Sequence, residues 1–87
     1  MNNNITKYSS KRDSANSTIK AAADKWPTTF AARTQIKNFT GGLYSHGTIA
    51  NLDSEGKGPY GAFSIGRHVV YPVIFFCDLL SSKISID

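Results

Sequence analysis

Eighty-seven residues make one small domain, without room for the deep, walled pocket that most enzymes use. The net charge of +4 suggests an acidic partner, most simply nucleic acid. That charge is uneven: residues 1–40 hold seven Lys/Arg against Asp13 and Asp24, a balance of +5, whereas residues 41–87 carry −1. If the chain binds DNA, its second half must do so through a few well-placed groups rather than bulk charge.

No span approaches the ~20 apolar residues of a transmembrane helix. The start, MNNNITKYSSKRDS, lacks the apolar core of a signal peptide, so a cytoplasmic protein with no membrane partner is expected. The single cysteine, Cys77, lies in an apolar run and reads as a core thiol in a reducing compartment. A structural zinc site needs about four ligands at suitable spacing. His46, His68 and Cys77 do not match that pattern, and neither metal nor cofactor is expected.

Residues 1–16 are rich in Asn, Ser and Lys and read as a flexible basic tail, with the folded domain spanning 17–87. Asn16 or Ser17 can cap a first helix over TIKAAADKW, where Ile19, Ala22, Ala23 and Trp26 form one apolar stripe before Pro27 ends it. Thr28 or Thr29 can cap a second helix through FAARTQIKNF. Ala32, Ile36 and Phe39 would face inward, with Arg33, Gln35 and Lys37 in solvent. Gly41-Gly42 closes it.

Ser45 can accept a hydrogen bond from the N–H of Thr48 and so start a third helix, HGTIANLDS. Ile49 and Leu52 would point inward with Thr48 partly covered, leaving His46, Gly47, Ala50 and Asn51 outside. Glycine at the second helical position is poor, costing about 1 kcal/mol against alanine in a helix interior, so the space it leaves suggests a use. After EGKGP the period changes to two. Phe63 and Ile65, then Val69 and Tyr71, alternate with smaller or polar residues around Gly66-Arg67, a two-residue hairpin turn that displays Arg67. Pro72 opens a last helix, with Val73, Phe76, Leu79 and Leu80 toward the core and Ile74 on the opposite side.

The stretches FTGGLYS, GTIANLDSEGKGP, IGRHVVYP and FFCDLL, in this order over residues 30–82, resemble the winged helix-turn-helix of MerR-like proteins. The resemblance is to the small excisionase and AlpA-type regulators of phages and mobile elements. It implies an α+β fold: three to four short helices plus a two-stranded hairpin wing. The helix after Ser45 would enter the major groove while the wing reaches the adjacent backbone. On these positions the resemblance implies Ser45, His46, Gly47, Ala50, Asn51, Lys57, Arg67 and His68 as the DNA-binding residues. The chain departs from the pattern at Leu52 and Leu79, where tryptophan is common, and at Ile74-Phe75, where a polar pair is usual.

The chemistry of the residues agrees. Asn51 can bond an adenine edge with both amide groups, and His46 can donate to a guanine acceptor or a phosphate. A solvated surface is the simpler alternative for both. The expected function is sequence-specific binding of double-stranded DNA, as an excisionase-like recombination directionality factor or a small transcriptional regulator. The expected protein partner is correspondingly a site-specific recombinase or RNA polymerase. The alternative is a protein-interaction adaptor. An enzyme is not expected, because no nucleophile is paired with a base and no phosphate-cradling loop is present. Ile74 and Phe75 would be covered either by the first helix or by another copy of the chain on DNA.

Overall fold

The computed structural model describes residues 11–85, and the fold is α+β: four α-helices and a three-stranded antiparallel sheet. In chain order these are α1 (Lys11–Lys25), β1 (Phe30–Ala32), a 3-10 turn (Arg33–Gln35) and α2 (Ile36–Phe39). There follow α3 (His46–Ser54), β2 (Phe63–Ile65), β3 (His68–Pro72) and α4 (Val73–Ser82). No described helix is long and apolar enough to cross a membrane.

Helix α1 begins at Lys11, so residues 11–16 belong to it and the expected tail loses that part. Residues 1–10 of that tail lie outside the described residues. The helix reaches upstream because 11–16 contain neither proline nor glycine, and the Ser81 hydroxyl donates to the Asn16 amide oxygen (2.7 Å). The expected stripe does pack on the domain, through Ala23 and Trp26, but no residue of α1 is buried.

The expected long second helix is a correction. Phe30–Ala32 is a strand, and the helical part shrinks to a 3-10 turn and one α-helical turn. Strand β3 lies between β1 and β2, with Phe30 opposite Pro72 and Ala32 opposite Val70. Without β1, that edge of β3 would lack hydrogen-bond partners, and sheet pairing outweighs the local helical pattern. Thr28 does not cap a helix. Its hydroxyl donates to the Phe30 carbonyl instead, and the Thr29 carbonyl accepts from the N–H of Val73 (2.8 Å) where α4 starts.

The core contains Ala31, Ile36, Phe39, Ile49, Tyr71, Val73 and Phe76. Phe76 is fully buried and meets Phe39, Tyr44 and Tyr71 edge to face, with centroids 5.7, 6.3 and 5.6 Å away. Such pairs add roughly 0.5–1.5 kcal/mol each beyond area burial. Leu79 and Leu80 pack at its margin, as the pattern of the last helix predicts. The turn between α2 and α3 is held by the buried Thr40. Its hydroxyl donates to the Ile36 carbonyl (2.8 Å) and accepts from the N–H of Tyr44 (3.1 Å). Gly41 and Gly42 follow at φ 64° and 94°, a conformation that costs glycine little.

Candidate nucleic-acid interface

Helix α3 starts as its sequence predicts. Ser45 is the N-cap, extended at φ −84° and ψ 166°, and its Oγ accepts from the N–H of Thr48 at 3.1 Å. Satisfying that donor fixes where the helix begins, and therefore which residues face outward. Ile49 is fully buried and Leu52 packs against the core, which anchors the inner face. His46, Gly47 and Asn51 are exposed, Ala50 is half-buried at the margin of that face, and Ser45 itself is exposed. Thr48, expected to be partly covered, is exposed as well, with its hydroxyl 3.0 Å from that of Ser45.

A methyl group at Gly47 would meet nothing closer than Ser45 Oγ at 3.8 Å. The fold therefore does not demand glycine here, and the open space lies on the outer surface. Lys57, just beyond the helix, is exposed, and its N–H returns to the Leu52 carbonyl (2.8 Å), closing the helix end.

The hairpin has the expected register: Ile65 pairs with His68, leaving Gly66-Arg67 as a two-residue turn. Gly66 adopts φ 62°, as the first central residue of a type II′ turn requires. Arg67 and His68 are both exposed. The strict alternation expected for the second strand is replaced, because Val70 and Tyr71 are buried in succession. Val70 stands between Ala32 on β1 and Phe63 on β2, so its cross-strand partners flank it on the face opposite Tyr71. Phe63 and Ile65, the larger residues of the alternation in the first strand, remain 47% and 53% exposed. Paired positions share a face of the sheet, so they lie on the side of Val70 and Pro72, opposite Tyr71 and Ala31.

One cluster went unread in the sequence. Arg33, expected in solvent, donates from Nη2 to Asp53 Oδ2 at 2.6 Å and from Nε to the Tyr71 hydroxyl at 2.9 Å. Tyr71 in turn donates to Asp53 Oδ2 at 2.5 Å. The three come from the 3-10 turn, the last turn of α3 and the middle strand of the sheet. Burial, and then the hydrogen bond to Asp53, push the Tyr71 hydroxyl from its usual 10.0 up to about 12. Hydrogen bonds to Tyr71 and Asp53 raise the Arg33 guanidinium further. Gly58 completes the cluster: a Cβ there would stand 1.8 Å from Asp53 Oδ1. The one available signal was an aspartate near a helix C-terminus, where the helix dipole disfavours it, followed by Gly58-Pro59.

Cys77 is half-buried, and burial, followed by the nearby Asp78 and Asp24, pushes its thiol up from its ordinary value. Such a thiol is a poor nucleophile at neutral pH. Among the described residues no cluster of three His, Cys, Asp or Glu could hold a metal. No family model, curated protein or solved structure matches the chain significantly.

Proposed function

We propose that the protein binds double-stranded DNA in a sequence-specific way through the outer face of α3 and the β2–β3 hairpin, as a winged helix-turn-helix. The observation that carries this reading is the pairing of two displayed elements. One is a Ser45-capped helix with His46, Gly47 and Asn51 outward; the other is a two-residue hairpin turn with Arg67 at its tip. Asn51 supplies a bidentate partner for adenine, His46 a donor, and Gly47 room for close approach to a base edge or the backbone. Ser45, Lys57, Arg67 and His68 are the backbone-contacting set. Ala50, at the margin of the face, fits a thymine methyl contact.

At the level of biology this corresponds to an excisionase-like recombination directionality factor or a small transcriptional regulator of a mobile element. Its partner would be a site-specific recombinase in the first case and RNA polymerase in the second. No catalytic chemistry enters this reading. A protein-interaction adaptor is the second reading, favoured by the exposed Phe30, Phe63 and Ile65 on one face of the sheet.

Selection from a random duplex library, followed by anisotropy titrations at several salt concentrations, tests the first reading. Arg67→Ala should weaken preferred and random duplexes alike and lower the salt slope by about one unit. An unchanged slope removes Arg67 from the interface, and no enrichment of any duplex favours the adaptor.

A further inference from the structure

From the Arg33–Asp53–Tyr71 cluster we infer that these three are positioning residues, which set the angle between the DNA-reading helix and the wing without touching DNA. This rests on the DNA-binding reading and adds what makes that reading selective. A winged domain discriminates only if helix and wing meet the duplex at the same time, in one register. Helix α3 and strand β3 both pack on the Arg33–Gln35 turn, and Arg33 carries the polar link from that turn to each of them. Asp53 belongs to the last turn of α3, and Tyr71 follows the Arg67 tip by four residues on the strand that forms the wing. One carboxylate oxygen thus receives a hydrogen bond from each of the other two members.

Three features fit a directional clamp better than general stabilisation. A partly exposed ion pair gains little stability, whereas its geometry is specific, because a guanidinium and a phenol must meet one oxygen in a fixed arrangement. Asp53 stands at the helix end where the dipole opposes a carboxylate, so its placement works against helix stability. Gly58 leaves room for that carboxylate, since a methyl group there would overlap Asp53 Oδ1. All buried side-chain polar atoms among the described residues have partners, so the cluster is satisfied without further help.

Tyr71→Phe tests this. The ring keeps its place against Phe76, and only the hydroxyl that joins Arg33 and Asp53 is lost. Affinities for the selected duplex and for a scrambled one are compared at a temperature where melting curves show the variant folded. The expected result is a loss of about tenfold on the selected duplex with less than twofold change on the scrambled one, because every phosphate-neutralising charge remains. Asp53→Asn, which leaves the core side chains in place, should give the same split. A purely structural role would reduce both affinities by the same factor, and that result overturns the inference. So does equal discrimination by wild type and both variants. A wild-type protein that prefers no duplex refutes the DNA-binding reading itself, which is a different outcome.

Discussion

The α3–β3 half of the molecule and the α1–α4 half are held in different ways. Around α3 and β3, Ile36, Ile49, Val70 and Tyr71 are all but inaccessible, together with Phe76 from the inner face of α4, and a three-membered polar cluster ties helix, turn and strand together. Between α1 and α4 there is instead an open groove of about 840 Å³, lined by Ile19, Ala23, Trp26, Ile74 and Cys77 among others. The Ser81–Asn16 hydrogen bond crosses it at one end, while Trp26 Nε1 donates to the Phe30 carbonyl of β1 (3.0 Å) at the other. The contrast teaches that amphipathic periodicity does not measure how much a helix contributes. The longest of the described helices carries no buried residue, and a four-residue helix carries two.

The largest test of that contrast is Phe76→Ala, which removes the ring that three aromatic neighbours meet. It should cost about 3–5 kcal/mol in a denaturant titration, a large share of the stability of a domain of this size. A loss below 1 kcal/mol would mean that the core lies elsewhere.

A smaller effect separates the halves by pH. Tyr71 holds its proton more tightly folded, to about pH 12, than at its usual value of 10.0. The folded state therefore binds more protons than the unfolded state between those values. The stability gained by keeping this hydroxyl protonated, through burial first and the bond to Asp53 second, is complete below pH 10 and declines as the pH rises through 12. Melting temperatures of wild type should fall over this window more steeply than those of Tyr71→Phe. Parallel curves would show that Tyr71 does not hold its proton more tightly in the folded state.

The smallest expected change is at Ile74, which is 68% exposed on the wall of the groove. Ile74→Asp should shift the thermal midpoint by no more than the ~0.5 kcal/mol typical of surface positions. A large drop would show that α1 closes over Ile74 in solution.

What was legible in the sequence was local chemistry. Ser45 capping, the Gly41-Gly42 turn and the Gly66-Arg67 hairpin each depend on residues within a few positions of one another. What escaped was nonlocal. Strand β1 exists because β3, some forty residues later, offers an edge, and Arg33 meets Asp53 and Tyr71 across separations of 20 and 38 residues. Ile74 and Phe75 also divided in a way that neither expectation anticipated. Tyr60 packs edge to face on Phe75 at 5.0 Å, and Gly61 lies so close that a Cβ would come within 2.9 Å of that ring. Phe75 is thus covered by the bend after α3, while Ile74 stays open beside α1.

The central claim is that the outer face of α3 reads base pairs, and Asn51→Ala examines it most directly. Asn51 is exposed, so the variant should fold as wild type does. Binding to the selected duplex should weaken by about 1–3 kcal/mol, and a duplex altered at one base pair should lose its disadvantage. Binding of selected and scrambled duplexes by Asn51→Ala with wild-type affinities would contradict the account.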